Sequence, residues 1–245
     1  PVGDKAFSEK YAKERVEKVK EMLDRLDVLD DPRVELALVR SCLGFPRFGF
    51  TLRSAPPDDI EGAVREFDEM LKNVAQTRFH VVLDEEREKQ WHLPVRMGGI
   101  GIPKAEDVAA PAYLGNALAA LPVVAELVKG VNGLEDIKGA KEAWKKMCHI
   151  LEKEENDLDP EVEELVQELG LELPEEVVET FLQGVDQVEK AVPENEKPQH
   201  FLHSLIHLQR LREWLGFQRR SPKEMDTPNG EKKTNTEDQE EDASR

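Results

Sequence analysis

Residues 106–128, EDVAAPAYLGNALAALPVVAELV, are apolar on nearly every side when wound into a helix. A helix with no face to give to water must be wrapped by other elements, so this stretch is expected to be the most buried helix of the chain. Pro122 is expected to kink or divide it, because proline lacks the N–H and crowds the preceding turn. The remainder has to supply the wrapping, and almost all of it reads as amphipathic helix.

The first such helix spans Phe7 to Leu29, with Phe7, Tyr11, Val19, Met22, Leu23 and Leu26 at three- and four-residue spacing. Asp31-Pro32 has the chemistry of a cap followed by a first helical residue. The next helix runs from Pro32 to about Gly44 and is expected to bury Val34, Leu38 and Cys42. Gly44, Pro46 and Gly49 then predict an extended or irregular link over FPRFGFTLR, residues 45–53. Pro56-Pro57-Asp58-Asp59 opens a further helix with Ile60, Val64, Phe67 and Leu71 on one face. A short acidic helix near Asp84–Gln90 leads to Gly98-Gly99-Ile100-Gly101. Beyond Gly130–Gly133, acidic amphipathic helices are expected at Leu134–Lys153, Pro160–Leu169 and Pro174–Lys190. A polar linker, Pro193–Pro198, precedes a last helix, His200–Leu215, carrying Phe201, Leu205, Leu208, Leu211 and Leu215. After Phe217 the hydrophobic pattern ends, which predicts a disordered tail. The expected organisation is all-α: a helical array over 1–128, an acidic helical extension over 129–216 and a tail over 217–245.

The net charge of −18 is concentrated in one place. Residues 152–196 hold seventeen acidic and two basic residues, whereas residues 1–103 hold twenty and seventeen. A polyanion contact is thus possible at the front of the chain and implausible in the acidic stretch. That stretch is read as a solvated helical subdomain, a binder of a basic partner, or drifted sequence. Cys42 and Cys148 stand far apart with no CxxC pair, as in reduced intracellular proteins of the nucleus or cytoplasm. No stretch is expected to approach the roughly 18 apolar residues of a membrane span. No starting Met is present, so the chain reads as a piece of a longer protein.

Few residues are arranged for chemistry. Asp30-Asp31 and Asp58-Asp59 both precede helices beside proline and are expected to cap them. The glycines at 98, 99 and 101 lack the third glycine of a dinucleotide loop, since Lys104 stands there, and they are expected to form a structural hinge. His200, His203 and His207 share a helical face, but no Cys or Asp at matching spacing completes a zinc site, so partial burial beside Phe201 and Leu205 is expected. Cys148 and His149 are adjacent on a helix and point about 100° apart, which prevents a nucleophile–base pair. No cofactor is implied.

The segment LVRSCLGFPRFGFTLRSAPP (38–57), then FDEML (67–71), then LPVRMGGIGIPKAEDVAAPAYLG (93–115) resembles the region that follows the palm in reverse transcriptases of non-LTR retrotransposons. Leu93, Pro94, Gly98, Gly99, Gly101, Ile102, Ala105, Asp107, Ala109, Pro111, Ala112, Tyr113, Leu114 and Gly115 carry the likeness. PVGD (1–4) is similar to the step at which such polymerases leave the palm, and residues 199–215 match a distal helix more loosely. The resemblance implies a helical thumb and its extension, which grips a template–primer duplex by its backbone while the palm does the chemistry.

On that resemblance the chain lacks the aspartates of an RNA-directed DNA polymerase and would not be an enzyme by itself. Its partners would be an RNA–DNA or DNA duplex, through the N-terminal half, and the palm of the parent polymerase; no membrane is implied. Arg40, Arg47 and Arg53, interleaved with Phe45, Phe48 and Phe50, are the expected phosphate contacts, with Arg96 and Lys104 bracketing the glycines. Lys13, Arg15, Lys18 and Lys20 are expected instead to form a solvated face with neighbouring glutamates. The alternative from a different class is a helical protein-interaction module, or a degenerate transposon remnant without retained activity.

Overall fold

A computed structural model describes residues 4–151, 164, 175–193 and 196–218, and among them the fold is all-α with no strand. Helix α1 spans Lys5–Asp24, α2 Pro32–Leu38, α3 Phe45–Ser54, α4 Glu61–Arg78, α5 Glu85–His92 and α6 Ala105–Leu127. Then come α7 (Ala140–Leu151), α8 (Glu175–Gln183), α9 (Val188–Ala191) and α10 (Pro198–Gln218). The expected helix at Pro160–Leu169, most of the acidic stretch and the tail beyond Gln218 lie outside the described residues.

Helix α6 is the axis. Every position from Val108 to Gly115 is buried, as the all-round apolar pattern requires. Two cores share it. Ala105, Val108, Ala109 and Ala112 face a core built with α1, α3 and α4, including Val19, Leu23, Phe48, Phe67 and Leu71. Ala110, Tyr113, Leu114, Ala117, Leu118 and Leu121 face a second core with Met147, Phe181, Leu202 and Leu205. Opposite sides of one helix therefore serve the front and back of the chain. Pro111 and Pro122 both sit inside α6, which runs on unbroken; Pro122 does not divide it. By length and composition α6 could cross a membrane, contrary to the expectation that no stretch comes close, and 61% of its most apolar window is buried in the fold. Packing covers most of its apolar surface from Ala105 to Leu121, while Val123 and Leu127 in its last turns stay exposed, contrary to the expected burial of the whole stretch.

Three local expectations are corrected. Residues 45–53 are helix, not an irregular link. Pro46 occupies the first turn, where its missing N–H costs nothing, and Gly49 is tolerated inside because Phe48, Thr51 and Leu52 anchor the face. Phe48 stacks on Phe67 at 4.6 Å between ring centroids, and burial of that pair outweighs the glycine's weak propensity. Second, α2 buries Glu35 and Val39 rather than Val34, Leu38 and Cys42; Val34 and Cys42 are exposed and Leu38 is half-buried. A wide π turn over Val39–Leu43 shifts the register of the face. Glu35 is held by Arg78, whose Nη1 also reaches Asp27 at 2.6 Å. Third, Phe7 is 49% exposed, because α1 buries the neighbouring stripe of Ser8, Ala12, Val16, Val19 and Leu23. Small residues there let α4 approach closely.

Capping divides in the same way. The Asp31 side chain accepts the N–H of Arg33, as expected. Asp58 and Asp59 do not cap α4. Asp59 accepts from Lys138 Nζ at 2.7 Å and Asp58 pairs with Lys146 at 2.6 Å, so both tie the front of the chain to the segment around α7. The lysines lie some eighty residues downstream, out of reach of any local reading.

Candidate nucleic-acid interface

The glycine turn between α5 and α6 is the centre of the site. Gly98 and Gly101 have φ of 83° and 80°, a region open to glycine. A Cβ on Gly99 would stand 2.1 Å from the carbonyl oxygen of Leu93, which folds back to accept the N–H of Gly101 at 2.9 Å. The turn is locked from the far side by Asp68 on α4. Its carboxylate accepts the N–H groups of Ala105 at 2.7 Å and Glu106 at 2.9 Å, the first donors of α6, which Lys104 at the cap position leaves unsatisfied. A cap supplied from another helix is what joins the FD pair of α4 to the glycine segment.

Burial pushes the Asp68 carboxyl up to about 7, against the two N–H donors and Lys104, which pull it down. A folded-state value above the unfolded 3.8 means that Asp68's contribution to stability is greatest below that value and is lost as the pH rises through about 7. Urea melts of wild type and Asp68→Asn from pH 4 to 8 should converge in slope only outside that window. A pH-independent difference between the two would show that Asp68 does not titrate there. Asp68→Ala, which removes the cap altogether, should cost about 1 kcal/mol at pH 5.

The expected phosphate-contacting residues separate into two groups. Arg40, Arg47, Arg53 and Arg96 are exposed, and among the described residues none makes a salt bridge or side-chain hydrogen bond. The intervening Arg65, Arg78 and Arg87 are all paired with carboxylates. The Arg40 Cδ lies 3.2 Å from where a Cβ on Gly101 would stand, and Val95, next to Arg96, closes the other side. Arg40 and Arg96 therefore flank the glycine turn. Lys104 does not join them: its Nζ pairs with Glu106 at 3.3 Å. Burial opposes its charge, but Asp107 and Glu106 outweigh it and raise its pKa. On α1, Lys13 and Lys20 pair with Glu9 and Glu17, and Arg15 donates to Tyr11 Oη, which is the solvated face expected of it.

Helix α10 adds what the sequence did not reveal. It crosses α6 so closely that a Cβ on Gly115 would stand 2.4 Å from Gln199 Cα. This brings His203 near Arg53 and His207 near Arg96. The two rings meet edge-on at 6.3 Å. Burial, then the charges of His207, His200 and Arg53, push the His203 imidazole down to about 4. Burial and Arg96 lower His207, while Asp107 works against them. Among the described residues no group of three potential ligands that could hold a metal is present.

No family model, curated protein or solved structure matches this chain. A cleft of about 920 Å³, lined by none of Arg40, Arg47, Arg53 and Arg96, opens between α4, α5, α6, α7 and α10. Most of its charges are paired: Lys72 with Glu88 at 2.6 Å, Lys104 with Glu106, Lys146 with Asp58, and Arg210 with both Asp107 and Glu213. Arg210 donates from Nε to Asp107 at 2.9 Å and from Nη1 to Glu213 at 2.7 Å. Burial lowers its charge preference, but the two carboxylates more than offset this and raise its pKa. The cleft is a seam between helices lined by six acidic and seven basic side chains, of which Lys145 makes no ion pair among the described residues. Cys148 is buried and His149 exposed, so they face apart as their adjacency requires.

Proposed function

We propose that the chain is the thumb and connection segment of a non-LTR-type reverse transcriptase, non-catalytic by itself, holding a nucleic-acid duplex by its phosphates. The observation that carries this reading is the grouping of Arg40, Arg53 and Arg96 around the glycine turn and α10, exposed and without carboxylate partners among the described residues, in a chain of net charge −18. An arginine left unneutralised in so acidic a protein keeps its charge available for an external anion. Arg47, one turn before Phe50 on the exposed side of α3, extends the face. Phosphate contacts of this kind position a duplex without reading its sequence.

The chain should bind RNA–DNA hybrid with an affinity that falls steeply with salt. Arg47→Glu with Arg53→Glu should weaken binding at least tenfold at low salt and flatten the slope of log K against log salt by about one per lost contact. Fluorescence anisotropy over a salt series measures both, and unchanged affinity in the double variant sinks the assignment. A helical interaction module is the second reading. It is favoured by the end of α6, where Val123, Leu127 and Val128 are 58%, 78% and 50% exposed. Absence of hybrid binding at low salt would select it.

A further inference from the structure

Acidic residues fill about one position in five of this chain, yet none stands among the twenty-two residues between Glu35 and Asp58, or among the seventeen between Glu88 and Glu106. The first run carries Arg40, Arg47 and Arg53, and the second Lys89, Arg96 and Lys104. The fold sets the two runs side by side, with the Arg40 side chain against the turn at Gly101. A region without carboxylates in a protein of net charge −18 leaves its positive potential open to an anionic partner.

Within that region α3 presents one aromatic ring to solvent. Arg47, Phe50 and Arg53 follow at three-residue intervals and all are exposed, so they form one ridge along the helix. Phe50 stands midway between two arginines whose positions are about 9 Å apart along the axis. A single exposed apolar side chain needs no explanation by itself. Phe50 is set apart by its surroundings. It is 61% exposed. The other exposed phenylalanine among the described residues, Phe7, stacks on Tyr11, whereas no ring or guanidinium lies against Phe50.

The order of charge and ring says what the ridge would meet. In a nucleic-acid strand each base lies between two phosphates, one on its 5′ side and one on its 3′ side. A ring between two cations complements that pattern, and stacking combined with cationic contacts is how unpaired strands are held. Bases inside a duplex are stacked on one another and offer no face, so the ring calls for an unpaired nucleotide. A protein partner would have to neutralise both arginines and bring the ring into an apolar patch, and the ridge puts charge on both sides of the ring instead.

We propose that Phe50 stacks on an unpaired nucleobase while Arg47 and Arg53 hold the phosphates on either side of it, so that this face takes a single strand where it leaves the duplex. The inner phosphate also belongs to the last base pair, so the same arginines serve both. The inference rests on the reading of the arginine face as a nucleic-acid contact, and it adds the kind of strand that α3 binds.

The test uses the full 245-residue chain and three probes: a blunt RNA–DNA hybrid, the same hybrid with about four unpaired nucleotides on either strand, and that overhang with its bases removed. The abasic overhang has the charge of the natural one and nothing to stack. Fluorescence anisotropy should show the natural overhang binding about tenfold more tightly than the abasic one, the contribution of one stacked base. In Phe50→Ala the two overhangs should bind alike. Phe50→Trp should keep the difference, and its added tryptophan fluorescence should be quenched by the natural overhang alone. Thermal melts establish that both variants are folded, and the comparison of the two overhangs in wild type needs no variant.

Equal affinity of the wild type for natural and abasic overhangs overturns the inference. So does a Phe50→Ala variant that keeps the full difference. If Arg47→Glu with Arg53→Glu weakens binding of the blunt hybrid while the two overhangs bind alike, the duplex contact stands and the stacking site fails. If a single-stranded oligonucleotide binds through Phe50 while the blunt hybrid does not bind, the stacking site stands and the thumb reading fails.

Discussion

Replacing Arg210 with alanine is expected to remove about 3 kcal/mol of unfolding free energy, the lower end of the range for breaking a buried ion pair, because a quarter of its side chain remains exposed. Its guanidinium donates to both oxygens of Asp107, at the first turn of α6, and to Glu213, one turn along α10. Removing it leaves two carboxylates facing each other where they are largely shielded from water, with side-chain exposures of 13% and 18%. The penalty therefore comes chiefly from the stranded anions. This predicts a strong non-additivity: Asp107→Asn alone should cost less, and added to Arg210→Ala it should restore part of the loss. Chemical denaturation of the two single variants and the double variant measures the coupling. A loss below 1 kcal/mol for Arg210→Ala, or additive effects, would mean that α10 is held to α6 by its apolar face alone.

The second large effect separates two neighbouring glycines. Gly99→Ala should cost about 3 kcal/mol, because its methyl would fall 2.1 Å from the carbonyl oxygen and 2.5 Å from the carbonyl carbon of Leu93, and neither can move without opening the turn. Gly98→Ala meets open space and pays only for its left-handed backbone, φ 83°, about 1 kcal/mol. Thermal melts of the two alanine variants should therefore differ clearly in midpoint. Equal losses would show that the turn relaxes around position 99 and that its close approach to Leu93 is not a constraint. A methyl at position 99 that forces the turn open would separate Arg40 from Arg96, so hybrid binding should weaken in Gly99→Ala and hold in Gly98→Ala.

Much of this was legible in the residues, and the failures share a cause. The all-helical class, the burial of Val108–Gly115, the Asp31 cap and the structural use of the glycines follow from patterns within a few residues of each other, whereas the expected burial fails past Leu121, where Val123, Leu127 and Val128 are exposed. The misreadings at 45–53 and at Val34, Leu38 and Cys42 arose where tertiary contact overruled such patterns. The Phe48–Phe67 stack rescued a glycine- and proline-rich helix, and a π turn shifted a buried face. Lys104 looked like an equal of Arg96, since both bracket the glycines, but α6 brings Glu106 and Asp107 to one and leaves the other free of carboxylates among the described residues.

The sequence by itself determined the helices and the central place of the apolar one, because helical periodicity and the hydrophobic effect act through local order. It also nominated the arginines, through the resemblance of the surrounding segment to a polymerase thumb more than through charge. Only the tertiary structure decided which of them keep their charge. Asp68 caps a helix thirty-seven positions away, and Arg210 closes on Asp107 across 103 positions. His203 and His207 acquire arginine neighbours through the crossing of α10 over Gly115. Coulombic pairing and desolvation depend on distance in space, and a distance across helices is set by how their faces pack, which no local pattern records.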